Sequence, residues 1–525
     1  MASIRNRDCP SRRVPWGSPW RLGVMLCVVM VTFIDQVSAA GLTAFPGAVG
    51  QGAASTGGRG GDVYHVTNLE DYKPHEDKKI PGSLRHAIRS AEAPRTIVFD
   101  VGGPILLKAP LQILKSDLTI AGQTAPGDGV TLWGYPLEIS RGKDVVIRYL
   151  RVRLGDFHAR VGDSKKLHPY KGNGDLDSSS ANAINVGGDC ERVILDHISA
   201  SWGIDETLSV TKCRDVTVQN CIIALSLNDS FHPKGRHGYG TLIRGELTPE
   251  DQAAGVGGFT FYQNLWAHHR ARNPSIGGQQ RLDPGQSEAD RRRTDVNLVN
   301  NVIYDWLDQP THRSGKGEIR VNLIGNYYIN GPAKDADRVF NEDDPAQTLV
   351  YQRENWIDHD QDSEHNGTQI ATEKQIARTF RKLGPEDQLL SSNDDSPFPF
   401  LKDLGKNLYP AEAAYENALD SVGCSLNRDT ADRALLETVI SRSGRLIDSQ
   451  EELRDKSGNL PGIDDIVPEE RAKDFDTDGD GMPNTFELEN KLNPNDPADG
   501  NGKKLSDVGY TNLEVYLARV ATSRN

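Results

Sequence analysis

A short strand motif recurs along the middle of this chain, and its spacing constrains the fold more than any other feature. It reads Asp144-Val-Val-Ile-Arg-Tyr-Leu, Arg192-Val-Ile-Leu-Asp-His-Ile, Asp215-Val-Thr-Val-Gln-Asn-Cys, Gly258-Phe-Thr-Phe-Tyr-Gln-Asn, Asp295-Val-Asn-Leu-Val-Asn-Asn and Glu318-Ile-Arg-Val-Asn-Leu-Ile. Alternation of apolar residues with period two marks strands, and long stretches of helical period are nearly absent. The second residues of the motifs fall at 145, 193, 216, 259, 296 and 319, so two intervals are 23 and the others are longer. Variable intervals above a fixed floor belong to a solenoid, in which strands must stack while the turns between them are free to grow. The expected fold is all-β, a right-handed parallel β-helix with a C-terminal extension of helices and loops. A β-sandwich or propeller would space its turns more regularly. Residues 97–100 and 118–120 read as earlier rungs, and residues 82–88 as a short helix capping the open end.

The first 39 residues stand apart. Arg5, Arg7, Arg12, Arg13 and Arg21 precede an apolar run from Leu22 to Phe33, followed by Val37, Ser38 and Ala39. That order describes a secretory signal peptide, too short to span a bilayer, and predicts a secreted protein, extracellular or periplasmic, with no membrane attachment after cleavage. The β-helix is expected over residues 40–371. From residue 372 the pattern changes to amphipathic stretches (372–383, 409–421 and 431–443) within polar, Pro-rich sequence, giving an irregular extension over 372–470 and a calcium module over 471–525. The formal charge is -14, and loss of the five Arg and two Asp of the leader takes it to about -17. Such a charge argues against a nucleic-acid partner. Cys190, Cys213, Cys221 and Cys424 remain after the leader; their spacing matches no zinc pattern and no disulfide framework.

The segment Asp476-Thr-Asp-Gly-Asp-Gly-Met-Pro-Asn-Thr-Phe-Glu487 fits an EF-hand-like loop. Three short carboxylates wrap a hard cation, a glycine makes the sharp turn, and the last Glu binds through both oxygens. Asp476, Asp478, Asp480 and Glu487, with the Met482 carbonyl and Asn484, are the expected Ca2+ ligands of a structural site. Chemistry is expected on the repeats instead. Asp196, Asp205 and Glu206 lie close together in sequence, and Asn264-Leu-Trp-Ala-His-His-Arg-Ala-Arg-Asn-Pro274 concentrates cations in an acidic chain. In a regular strand Asp205 and Glu206 would face opposite ways unless a turn follows Gly203.

Seven segments together resemble the bacterial pectate lyases of polysaccharide lyase family 1, which have the pectin lyase-like solenoid. They begin at Gly57 (GGRGGDVY), Pro81 (PGSLR), Arg95 (RTIVFD), Thr119 (TIAGQTAPG), Val146 (VIRYLRVR), Leu195 (LDHISASW) and His268 (HHRARNP). The resemblance covers roughly residues 41–330. It implies a monomer that cleaves de-esterified polygalacturonate, an acidic polysaccharide, by calcium-assisted β-elimination. Calcium would bridge protein and uronate carboxylates, and an arginine would take the C5 proton. By position that arginine is Arg272, within its Arg-x-Pro context. Asn182, Asp205 and Glu206 match the calcium site, with Asn182 and Ser209 standing where the family has Asp. Lys234, His237 and Arg270 match substrate-binding positions. A guanidinium is a poor base because Arg normally stays protonated, so its surroundings must favour the neutral form. A β-helical hydrolase would need paired carboxylates on a rung, and the adjacent Asp pairs of this chain lie outside the repeats. A non-catalytic carbohydrate-binding β-helix and a lyase acting on another uronan are the remaining alternatives.

Overall fold

Val145, Val193, Val216, Phe259 and Val296 lie side by side on parallel neighbouring strands, so five of the six motifs stack in the register their sequence implies. The sixth is displaced. Val296 pairs with Val321, and Ile319 pairs with Thr294. A slip of two residues leaves every side chain on its own face, so the apolar pattern cannot distinguish the two registers. These strands belong to an eleven-stranded sheet running from Asp62–Val66 to Gln388–Leu390, here sheet 1. The earlier rungs join it, with Ile97 beside Ile120.

The computed structural model describes residues 41–523 apart from residues 93, 161–173, 335, 343–346, 363, 382, 384–386 and 392–394. The expected signal peptide lies outside the described residues. Residues from Leu42 onward form one compact unit. Two further ladders complete a three-faced, right-handed parallel β-helix. Sheet 2 climbs from Val101–Leu106 through Leu150–Arg153, Ile222–Ala224 and Leu265–Ala271 to Trp356–Asp358. Sheet 3 climbs from Leu111–Ile113 through Glu206–Thr211, Tyr239–Arg244 and Ser275–Gly277 to Phe380–Arg381. Inward residues of all three faces, among them Val145, Leu195, Leu208, Ile243 and Ile303, form one continuous apolar core.

The corner from sheet 1 to sheet 2 is built the same way in successive coils. Tyr149, His197, Asn220, Gln263, Asn300 and Glu354 take left-handed backbone angles there, with φ between 52° and 58°. One such residue re-aims the chain without a loop. The residue after it points inward. Asn264, Asn301, Asn326 and Asn355 stack through Nδ2–H···Oδ1 bonds of 2.9–3.0 Å, and each Oδ1 also accepts the backbone N–H of the residue in the coil below. Cys221 occupies the equivalent place one coil earlier. All four described cysteines are free thiols and buried.

The expected end-capping helix is Leu84–Arg89, capped by Ser83, with Leu84, Ala87 and Ile88 in the core. The solenoid continues past residue 371 through the parallel strands Phe380–Arg381 and Gln388–Leu390. That first strand also ends the helix Glu373–Thr379 earlier than the amphipathic pattern would. Helices Ala411–Ser421 and Thr430–Ile440 cover the outside of sheet 2, burying Ala414, Ala418, Leu435 and Val439 against Ile222, Leu265 and Val302. Beneath them Asp429 and Asp432 pair with Arg153 at 2.8 and 2.9 Å in a buried cluster. The final segment returns to the first coils, where Glu469–Glu470 pairs antiparallel with Val101 and Gly102.

Candidate active site

Three successive coils place the expected catalytic residues together at the corner between sheets 2 and 3. Glu206, Tyr239 and Ala271 are neighbours across adjacent strands, and Arg272 follows immediately with φ 63°. This left-handed turn ends the sheet 2 strand and turns the guanidinium toward the preceding coils. Arg272 Nη1 donates to Glu206 Oε1, and its guanidinium carbon stands 4.0 Å from the centre of the Tyr239 ring. The arginine side chain is 24 % exposed whereas Glu206 is 2 % exposed. The pair therefore has one open end, and it belongs to Arg272.

The turn after Gly203 is present. Bends at Ile204 and Asp205 precede the strand that begins at Glu206, so the two carboxylates face one another's charge rather than opposite sides. Burial, and then the Asp205 charge, push the Glu206 carboxyl up to about 7 despite Arg272. Burial pushes Asp205 up to about 6. Asp205 Oδ1 lies 2.8 Å from His237 Nε2 and 3.8 Å from His232 Nε2, and the two imidazoles stack with centroids 3.7 Å apart. Burial holds both rings down to about 4, hence neutral.

Arg272 and Tyr239 also line a cleft of about 470 Å³ with Asp308, His312, Lys334 and Arg338. Arg270 stands at its rim, Nε 2.8 Å from Asp308 Oδ2. Cations thus outnumber the single carboxylate, which suits an anionic chain lying along the outer wall.

Several expected roles change on this geometry. Asn182 is drawn into the fold: its Oδ1 accepts the Glu206 N–H at 2.8 Å, and its Nδ2 donates to Asn185 and Ser209. Glu206 is engaged by Arg272. Of the three expected calcium ligands in the cleft, only Asp205 keeps a buried oxygen without a hydrogen bond. One carboxylate beside two neutral imidazoles is a poor match for a hard cation that takes six to eight oxygens. His237 faces Asp205 rather than the solvent, whereas Lys234 is exposed nearby. Asp196 is structural. It is fully buried, and although burial opposes ionisation, His197 and Arg148 hold its carboxyl below the usual range. Sequence reading missed His232, Tyr239, His312, Lys334 and Arg338, which other coils bring to the same corner; the His-Pro-Lys-Gly-Arg-His-Gly-Tyr run from His232 to Tyr239 was the available signal.

The C-terminal loop behaves differently. Asp476, Asp478 and Asp480 converge, and Asp480 also converges with Glu487 and Asp499, with ligand oxygens within 4.8 Å in each group. Asp499 was not expected. Asn484 was, but its side chain instead binds Thr477 N, Thr477 Oγ1 and Asp474 O. Burial, followed by mutual repulsion, pushes Glu487 up to about 8. Five carboxylates, four of them (Asp478, Asp480, Glu487 and Asp499) with unpaired buried oxygens, fit a hard cation well.

No family model matches the chain. Among curated proteins, the probable pectate lyase C of Neosartorya fischeri is 33% identical over 509 residues, 96% of this chain and 99% of its own length. That of Emericella nidulans is 32% identical over 483 residues, 91% and 93% of the two chains. These relatives are fungal, where the motifs pointed to bacterial members. Among solved structures, the cedar-pollen allergen Jun a 1 overlaps at TM-score 0.47 with 16% identity, over 72% of this chain and 92% of its own. A Bacillus sp. N165 pectate lyase in complex with trigalacturonate overlaps at TM-score 0.42 with 14% identity, over 72% and 98%. The strand pairing, not these overlaps, establishes the fold here. Solenoid and near-full-length relatives together place the protein among the β-helical polysaccharide lyases. Within that class, the chain belongs to the pectate lyase family.

Proposed function

We propose that the protein is an exported lyase that cleaves de-esterified polygalacturonate by β-elimination, with Arg272 taking the C5 proton. The observation that carries this reading is the Arg272–Glu206 pair, open to the cleft only through the arginine. Pairing with a carboxylate ordinarily keeps a guanidinium charged. Glu206 differs from an ordinary carboxylate, because burial brings its affinity for a proton into the neutral range. Once ionised it anchors Arg272 at the cleft, and hydroxide, rather than a carboxylate of that affinity, takes the guanidinium proton and leaves the neutral guanidine facing the substrate. The C5–H bond then breaks toward Arg272, the C4–O4 bond breaks, and the departing alkoxide takes a proton from water, leaving a 4,5-unsaturated uronide. Lys334, Arg338 and Arg270 supply positive charge for the uronate carboxylates along the cleft. Because the cleft residues fit calcium poorly, no step of this scheme runs through the ion.

The test is ultraviolet absorbance of the unsaturated product across a panel of uronans, polygalacturonate first. Arg272→Lys is expected to lose about 10²–10⁴-fold in rate, the usual contribution of a positioned proton acceptor. Absence of unsaturated product on every uronan would sink the lyase chemistry. A fully active Arg272→Lys variant would sink the role of Arg272 alone.

A further inference from the structure

We infer that a divalent cation of the calcium type, held by Asp476, Asp478, Asp480, Glu487 and Asp499, clasps the C-terminal segment onto the first coils of the solenoid, remote from the cleft. The loop motif accounts for four of these ligands, and the structure adds the fifth and the clasp. Glu487 is 0% exposed and Asp480 3% exposed, yet neither Glu487 oxygen nor Asp480 Oδ2 has a hydrogen-bond partner. Asp478 Oδ2 and Asp499 Oδ1 are also buried and unpaired. Leaving such groups without partners costs about 1–3 kcal/mol each, and more where they are charged, so their convergence calls for a cation. Asp499 comes from twelve residues beyond Glu487, and its approach depends on Gly500, where a Cβ would lie 2.6 Å from Asp480 Oδ2. Oxygen donors from two separate segments favour a large, adaptable ion over Mg2+, which demands a tighter octahedron and retains its waters.

The site sits on the β-helix wall. Gly481 has φ 90°, and a Cβ there would meet Leu513, Val63 and Val98 at 3.0–3.4 Å. Met482, Phe486, Leu513 and Leu517 pack on Val98 and Ala121 of sheet 1. His65, on the first strand, reaches Gly479 O at 3.3 Å and Asp476 Oδ2 at 3.5 Å. Ligation therefore fixes both the loop and the apolar surface it presses onto the wall.

The experiment is thermal unfolding of the full chain with calcium, with magnesium and with chelator, paired with terbium luminescence. Wild type and Arg272→Ala are expected to gain the same calcium-dependent rise in Tm, which separates the clasp from the proposed chemistry. Magnesium is expected to give a smaller rise. Glu487→Gln and Asp499→Asn are expected to lose the calcium-dependent rise and to bind terbium at least tenfold more weakly, while retaining lyase activity at low temperature. An unchanged rise in Asp499→Asn overturns the five-ligand site. A Tm indifferent to chelator overturns the clasp, and a calcium effect abolished by Arg272→Ala assigns the ion to the cleft. If Glu487→Gln does not fold, Asp499→Asn, which alters the less buried ligand, decides.

Discussion

At the scale of single residues, the unusual group is Glu206. Its carboxyl titrates near 7 in the fold and near the ordinary value of 4.5 when unfolded. The native state therefore holds a proton that the unfolded chain releases, and stability falls as pH rises from about 4.5 to about 7. Glu206→Gln is expected to flatten that slope in a pH series of denaturant unfolding curves. The same substitution removes the charged anchor of Arg272. Wild-type kcat is expected to rise as pH passes about 7 and Glu206 ionises, and Glu206→Gln to lower kcat and lose that limb; an unaltered pH–rate profile would exclude the anchoring role of the Glu206 charge. Arg272 and Asp205 were legible in sequence because each sits in a contiguous motif. His312 and Lys334 were not, because only the stacking of distant coils brings them to one corner.

At the scale of elements, the sheet 1 motifs announce themselves and the shortest strands of the other two sheets do not. Sheet 1 strands such as Glu191–Asp196 are long enough to display alternation, whereas Ser199–Ser201 and Ser275–Gly277 offer three residues each, too few for any period. Two of the motifs close on an asparagine, Asn264 and Asn301, whose purpose the sequence does not show. Both belong to the asparagine ladder, whose side chains satisfy backbone groups at a corner sealed from water. Asn301 accepts from the Asn264 N–H and donates to Phe261 O and Asn326 Oδ1. Asn301→Ala leaves these buried partners unsatisfied, at about 1–3 kcal/mol for each group. A loss of roughly 3–6 kcal/mol in urea unfolding is expected, and a loss under 1 kcal/mol would mean that water enters the corner. The two-residue slip at Ile319 shows the limit of pattern reading. Period two fixes the face of a side chain and leaves its neighbour open.

At the scale of the molecule, the solenoid has an inner core and a second, outer set of contacts supplied by the chain beyond residue 390. Helices 411–421 and 430–440 lie on sheet 2, and residues 469–522 lie on the first coils. Their helical character was legible from amphipathic spacing, but their docking sites were not, since those depend on outward residues such as Val98 and Ala121 that also read as strand core. Arg153 joins sheet 2 to the helices through a buried ion pair cluster with Asp429 and Asp432, whose loss on one side leaves uncompensated charge. Arg153→Ala is expected to destabilise the protein by about 3–5 kcal/mol, measured by denaturant unfolding; a shift below 1 kcal/mol would mean that the helices hold by apolar contact alone.

The meeting of the two ends of the described chain has a consequence for the order of synthesis. Thr43 Oγ1 lies 2.7 Å from the Tyr510 hydroxyl, and Arg59 Nε lies 2.7 Å from Glu514. A ribosome makes the first coils early, yet the residues that cover their outer wall follow only after all the coils of the solenoid. Until then Val98 and Ala121 stand uncovered on a wall of parallel strands, the kind of surface that invites aggregation. The nascent chain is therefore exposed on that wall through the synthesis of every later coil, until residues 469–522 emerge and cover it.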